Sequence, residues 1–190
     1  MKEKVEFIIE KYLKIYPDEK ERQAKFIEYL KTHNENEIID WNNFDGHITA
    51  GGFIYAKQEK KFLLVYHKML QMYLYPGGHS EVVDSTPLDT AKREVKEETG
   101  IIECTLINEN EEIVPIDIDT HKIPYDEKRK LPEHYHFDFR YLFVIEKITD
   151  VNIDAEELQK YEWIGIEELS KHQNYGRIIE KIKNIIKEKE

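Results

Sequence analysis

The stretch "GGHSEVVDSTPLDTAKREVKEETGI", residues 77–101, sets Arg93, Glu94, Glu97 and Glu98 within two turns of what its pattern predicts to be a helix. At about 100° per residue, Glu94, Glu97 and Glu98 share one arc, and Leu88, Ala91 and Val95 form the adjoining apolar stripe. Like charges at this spacing repel, and Arg93, one turn before Glu97, offsets only one of them. Oxygen donors crowded in this way suit a hard divalent cation such as magnesium. An acidic helix is ordinarily no more than a solvated face. Two features move this one away from that reading. Its carboxylates border the buried stripe, and it follows a strand and a glycine-containing loop whose backbone approaches a ligand closely.

Elements must hold that helix in place, and the rest of the chain supplies them. The N-terminal segment predicts a helix with Val5, Ile8, Ile9, Tyr12 and Leu13 on one stripe. Pro17 and Asp18 end it and start a second helix, with Ala24, Ile27 and Leu30 expected to face inward. After a polar linker around Asn34 to Asn36, "GGFIYAK" and "KKFLLVYHK" flank "QEK" as a hairpin, and "MYLYPGG" reads as a strand ending in the glycines. The carboxylate helix is expected from about Pro87 to Thr99, with Gly100 supplying the left-handed cap. "IIECTLI", "EEIVPIDIDTH" and "HFDFRYLFVIEKI" are strand-like, and in the last His136, Asp138 and Arg140 alternate with apolar residues and share a face. "YEWIGIEEL" predicts a short strand leading into a helix, and Ile178, Ile179, Ile182, Ile185 and Ile186 mark a final helix. Interleaved strands and helices give an α/β or α+β class with a mixed sheet.

Composition narrows the partners. At 190 residues the chain suits one domain with a small appendage, divided here as a helical extension over 1–40 packed on a core domain over 41–190. A net charge of -11 argues against wrapping nucleic acid, although a bridging cation still admits phosphorylated ligands. Cys104 is the only cysteine, so no intrachain disulfide forms, and a reducing cytoplasmic setting is expected. The amphipathic N-terminus lacks the continuous apolar run of a secretion signal, and no stretch approaches the length of a membrane span.

The helix and its approach strongly resemble the box of the Nudix hydrolases, Gly–x5–Glu–x7–Arg–Glu–U–x–Glu–Glu–x–Gly–U with U apolar. Arg93, Glu94, Val95, Glu97, Glu98, Gly100 and Ile101 match every specified position of the second half. The first half departs from the pattern. Counting from Gly78 puts the first acidic position at Asp84, whereas counting back from Arg93 puts it at Ser85, so the loop holds one extra residue. Asp84 or Glu81 is the substitute for the missing glutamate. "GHITAGGFIY", "YPGGHSE", "DIDTHKIP" and "PEHYHFDFRYLF" extend the likeness to a group of bacterial Nudix proteins with a helical N-terminal extension.

The resemblance implies an α/β/α sandwich and hydrolysis of a nucleoside diphosphate linked to another moiety, for example ADP-ribose or a nucleoside triphosphate. Mg2+ (or Mn2+) is expected on Glu94, Glu97 and Glu98 with a carbonyl such as that of Gly78, neutralising the diphosphate and activating water. Arg93 is expected to orient Glu97 or another carboxylate. Glu97 is the first candidate general base, with Glu157 and Glu133 as later-loop candidates whose plain alternative is a surface glutamate. His79, beside the double glycine, is placed to contact phosphate, and His136 and Arg140 to line a substrate pocket. The histidines at 47, 79, 121, 134 and 136 are dense, but their spacing matches no standard zinc motif, and structural imidazoles are the ordinary reading. Partners are expected to be a small-molecule diphosphate and, as in many of these hydrolases, a second copy in a homodimer.

Two other readings share the fold. An isopentenyl-diphosphate isomerase needs a cysteine in the glycine-containing stretch, where this chain has His79, and Cys104 lies past the helix. "DWNNFDG" is only a faint echo of that enzyme's tryptophan-asparagine-glutamate segment. A non-catalytic nucleotide-sugar sensor needs a basic DNA-binding module, and the segment after Phe143 has more acids than bases.

Overall fold

The structure is a computed structural model that describes residues 1–107, 113–171 and 175–189. Its organising element is β1 (His47–Ala56), buried at every residue. Along its whole length β1 pairs in parallel with β7 (His134–Ile145), from His47 opposite His136 to Ala56 opposite Ile145. Its other edge is shared. Its C-terminal end forms an antiparallel hairpin with β2 (Lys61–His67), and Thr49 to Gly51 pair antiparallel with β4 (Gly77–His79). β3 (Met72–Leu74) and β8 (Leu158–Gly165) extend β2, while β5 (Thr105–Ile107) and β6 (Asp117–Ile123) pair antiparallel with β7. The result is a mixed eight-stranded sheet.

Strand alternation assigns its two faces. Ile48, Ala50, Ile54 and Ala56 of β1 join Phe137, Phe139, Tyr141 and Phe143 of β7 in one cluster. That cluster is covered by α1 (Lys2–Ile15), α2 (Ala24–Thr32) and α3 (Pro87–Thr99). On the opposite face Phe53, Tyr55, Phe62, Leu64 and Leu142 meet the isoleucines of α5 (Gly176–Lys189) and Leu169 of the short α4 (Ile166–Leu169). Helices on both faces of a mixed sheet make the expected sandwich.

The N-terminal helices are fixed to the sheet by aromatic and polar contacts. Phe26 stacks on Phe137 at 4.3 Å, Gln23 Nε2 donates to the Ile118 carbonyl at 2.7 Å, and Tyr29 donates to the Gly46 carbonyl at 2.5 Å. The inward face of α2 therefore differs from the expectation. Phe26, Tyr29 and Leu30 are buried, Ala24 is exposed and Ile27 half-buried, because aromatic rings fill the space above Phe137 and Phe139. Pro17 begins only a short 3-10 turn, Pro17–Glu19, and α2 starts later, at Ala24. The strand expected over "IIECTLI" is confined to β5, and that over "EEIVPIDIDTH" begins at Asp117, with residues 111 and 112 outside the described residues. Among the described residues no helix is long and apolar enough to cross a membrane.

Candidate active site

The carboxylate helix is delimited by its own sequence. Thr86 caps it by accepting from the Asp89 amide at 3.2 Å, and Pro87 occupies the first turn, where a missing N–H is harmless. Gly100, at φ 71°, closes it in the left-handed conformation that a side chain resists. Leu88, Ala91 and Val95 are buried toward the sheet, which leaves Glu94 and Glu98 at the boundary with β4.

Arg93 is the hub of the box. Its Nε and Nη2 reach both oxygens of Asp84, at 3.2 and 2.9 Å, and Nη2 also donates to the His79 carbonyl at 2.7 Å. Its Nη1 bonds Glu94 at 2.8 Å and Glu97 at 2.9 Å. Sequence spacing gave this arginine one carboxylate partner; the fold gives it three close ones, because the loop folds back over the helix. The extra loop residue is thereby accounted for. Asp84, not Ser85, is the buried anchor, and it also accepts from the Glu81 amide and the Thr90 hydroxyl at 2.9 and 3.0 Å. Burial alone raises the Asp84 pKa, but the bonds from Arg93, Glu81 and Thr90 outweigh it and hold the carboxyl below its ordinary value. Glu81 stays at the rim, 3.8 Å from Arg93 and exposed.

The double glycine is a requirement of close approach. A Cβ on Gly77 would lie 2.7 Å from the Gly51 Cα of β1, a backbone contact that only glycine avoids, and one on Gly78 would lie 2.6 Å from the Glu94 carboxylate and displace it. Gly77 donates its amide to Glu98 Oε2 at 3.1 Å. Glu98 is 7% exposed. Burial, then the neighbouring charges of Glu94, Glu157 and Asp154, push its pKa up to about 8 against that single amide bond. Burial likewise lifts Glu94 to about 7, with Glu97 and Glu157 adding to the rise and Arg93 opposing it.

Glu157 reaches this group from outside the box. The segment before β8 is tied to the end of α3 by the Asn152 amide on the Thr99 carbonyl at 2.9 Å, and the charge of Glu157 acts on both Glu94 and Glu98. Its side chain is exposed, with His67 at 4.0 Å. Glu133 is placed elsewhere, paired with Lys122 beside the start of β7.

His136, Asp138 and Arg140 share a face of β7, as their alternation requires, but they do not act alike. Arg140 is 9% exposed, and its three nitrogens bond Asp138 at 2.9 Å, Asp117 at 3.2 Å and Asp119 at 2.8 Å. A guanidinium engaged at every nitrogen acts as a strut of the sheet. Asp138 is further held by Thr49 at 3.1 Å and by the hydroxyl of Tyr75. Beyond these acids lie His47, His79 and His136, whose ring nitrogens approach within 4.8 Å of one another. Burial, followed by the neighbouring His79, lowers the pKa of His47 to about 4, and burial with the surrounding imidazoles lowers His136 as well.

Asp84, Tyr75, Asp117, Asp119, His47 and His134 are structurally engaged residues that sequence reading left without a definite role. For Asp84 the signal was present in the count from Gly78. For the others it lay in the strand register, which no local pattern encodes.

Comparison with known proteins accords with this geometry. A protein of Lactococcus lactis subsp. cremoris (strain MG1363) named probable DHNTP pyrophosphohydrolase is 32% identical over 155 residues, 76% of this chain and 87% of its own. The crystal structure of a NUDIX-family hydrolase from Clostridium perfringens matches with a TM-score of 0.55 at 25% identity, over 76% of this chain and 98% of that one. The dihydroneopterin triphosphate pyrophosphohydrolase of E. coli shares the fold, with a TM-score of 0.54 at 19% identity over 70% of this chain and 92% of its own. The model described as NUDIX domain matches residues 45–183, a span that takes in the whole sheet and the box helix, and the chain thus belongs to the Nudix family, hydrolases of phosphorus-containing anhydrides.

Proposed function

We propose that the chain is a divalent-cation-dependent pyrophosphohydrolase of a nucleoside diphosphate linked to another moiety, ADP-ribose and nucleoside triphosphates being the model substrates. The observation that carries this reading is the pair of half-buried Glu94 and buried Glu98, set against Gly77 and Gly78 with Glu157 in their field. The 32% identity to a probable DHNTP pyrophosphohydrolase favours a triphosphate within that class.

The residues fit a hard cation. Burial and neighbouring carboxylates raise the pKa values of Glu94 and Glu98 to about 7 and about 8, so positive charge at their open side would favour both as anions. Glu94, Glu97, Glu98 and the Gly78 carbonyl supply oxygen donors, the chemistry that Mg2+ or Mn2+ selects. A cation there would neutralise the diphosphate and acidify a water for attack at phosphorus.

The remaining work belongs to the chain. Arg93 holds Glu94 and Glu97 in one orientation and clamps the β4 loop to α3 through His79 and Asp84. Glu97 has one oxygen tied to Arg93, whereas Glu157 is exposed and its charge reaches Glu94 and Glu98, which favours Glu157 as the proton acceptor. His79 and His136 lie on the opposite face of β4 from these carboxylates, with their ring nitrogens toward His47. Residues 1–40 are assigned as an extension on a Nudix domain over 41–190, a division supported by the match beginning at residue 45.

The test is a panel of ADP-ribose, nucleoside triphosphates and dihydroneopterin triphosphate, assayed for phosphate, pyrophosphate and nucleotide release with Mg2+ or Mn2+. Cation-dependent turnover of one class, abolished by Glu98→Gln and by Glu157→Gln, is the expected result. Full turnover in Glu98→Gln defeats the assignment of the cation site, and full turnover in Glu157→Gln returns the base to Glu97.

A further inference from the structure

We propose a second metal site in this chain, formed by His47, His79 and His136, which takes a borderline transition ion such as Zn2+ and lies on the opposite face of β4 from the box carboxylates. It stands on the register of four strands. β6 places His121 beside His136, β7 places His136 beside His47, and β4 sets His79 opposite Thr49, two residues along the same face as His47. Strand alternation separates the two sites. Gly78 faces Glu94, so His79, the next residue, projects to the other side.

The ligand atoms are close and directed. The three imidazoles offer nitrogens within 4.8 Å of one another. Tetrahedral Zn2+ with bonds of about 2.0–2.1 Å spaces its ligands about 3.4 Å apart, a contraction that rotation of the rings supplies. His47 is the strongest pointer. It is 1% exposed, its Nδ1–H donates to the Asn43 carbonyl at 3.2 Å, and its buried Nε2 meets no hydrogen-bond partner. An imidazole anchored by one nitrogen to a carbonyl, with the other nitrogen free, is the arrangement that fixes a histidine as a metal ligand. Leaving such a nitrogen buried and unbonded is unfavourable, and a ligand at that point removes the penalty.

His134 shares the carbonyl anchor, but its second nitrogen is hydrogen-bonded to His136. Its Nδ1–H donates to the Pro132 carbonyl at 2.9 Å, and its Nε2 lies 3.2 Å from Nε2 of His136, close to a tetrahedral edge. Its place beside His136 makes it the candidate for the fourth position. Neutral nitrogen donors select zinc and its neighbours over magnesium, so this site and the carboxylate site discriminate between ions by ligand type. The sequence spacing matches no zinc motif because the ligands come from three different strands, and a spatial cluster leaves no local signature.

The test uses the full chain, stripped with a chelator and titrated with Zn2+ in excess Mg2+, with Co2+ as a spectroscopic substitute. One equivalent of Zn2+ and the visible bands of tetrahedral Co2+ are expected. Affinity should fall on the order of a hundredfold in His136→Gln and in His79→Gln, and stay unchanged in Glu98→Gln. His79 is exposed, so its variant keeps the test informative if His136→Gln folds poorly. Failure of the wild type to bind Zn2+, wild-type affinity in both histidine variants, or loss of binding in Glu98→Gln each overturns the proposal.

Discussion

Arg93 and Arg140 each gather a knot of carboxylates, and the two knots are built in opposite ways. The partners of Arg93, namely His79, Asp84, Glu94 and Glu97, lie in one continuous stretch, the end of β4, the loop after it and α3. Those of Arg140 are Tyr75, Asp117, Asp119 and Asp138, drawn from separate strands and the segment before β4. Asp117 also receives Arg22 from the N-terminal segment and Arg177 from α5, with Lys181 of α5 nearby. The first knot leaves Glu97 and Glu98 free of a full complement of cations. The second balances its buried acids with four basic side chains, three of them from outside the sheet. A knot left short of positive charge is equipped to take a cation, and a balanced one is equipped to join elements. The test of the contrast is that damage to one lowers activity and damage to the other lowers stability.

The largest effect is expected from Arg140→Ala. It removes one partner from acids that are wholly or nearly buried, and breaking a buried pair costs about 3–5 kcal/mol. Chemical denaturation should show that loss. A change below about 1 kcal/mol would mean that Arg22, Arg177 and Lys181 hold Asp117 without it.

Glu98→Gln should invert the pattern. Turnover is expected to fall roughly a hundredfold to a thousandfold, the range for losing one electrostatic contact with developing charge. Folding stability without added metal should hold or rise, because the substitution removes a charge that burial and Glu94 disfavour. A variant that lost stability and kept its turnover would erase the distinction between the two knots.

The same contrast explains what the sequence revealed. α3 was legible to its ends, because Thr86, Pro87 and Gly100 are local signals that act through neighbouring backbone groups. The box carboxylates were legible for the same reason, since helical spacing turns sequence distance directly into spatial distance. The Arg140 knot and the histidine cluster depend on β1 lying parallel to β7, a pairing of segments far apart in the chain. Alternation placed His136 and Arg140 on one face, but not that Asp117 and Asp119 would face Arg140 from the next strand. The inward face of α2 was misread because Phe26 and Tyr29 find aromatic partners on β7, a choice that the helical period alone does not make.

Acid offers a smaller test of the balanced knot. Burial raises the pKa of Asp117, but Arg140, Arg22, Arg177 and Lys181 more than reverse this, so its folded value lies below the ordinary 3.8. A carboxylate depressed on folding contributes stability that is complete above its unfolded pKa and is lost as pH falls through the folded one. Stability should therefore decline below about pH 4, with Asp117 contributing at most about 1.4 kcal/mol per pH unit. Denaturation measured from pH 6 to pH 2 should give a shallower decline in Asp117→Asn. An equal decline in both proteins would remove Asp117 from the account.

The smallest effects decide the register of the box loop. Asp84→Asn keeps the size of the anchor but weakens its pairing with Arg93, and a loss of about 1 kcal/mol is expected. Turnover should fall with it, because Arg93 then positions Glu94 and Glu97 less firmly. Ser85→Ala, at the position that counting back from Arg93 selects, should change stability by less than about 0.5 kcal/mol, as exposed sites do. Ser85 has neither the charge nor the burial to anchor a guanidinium, whereas Asp84 accepts from Arg93, Thr90 and the Glu81 amide together. Denaturation and turnover of the two variants, measured side by side, should separate the positions. If Ser85→Ala proved the more damaging, the loop would be read in the other register, and the extra residue would lie between Gly78 and Ser85 and not between Asp84 and Arg93.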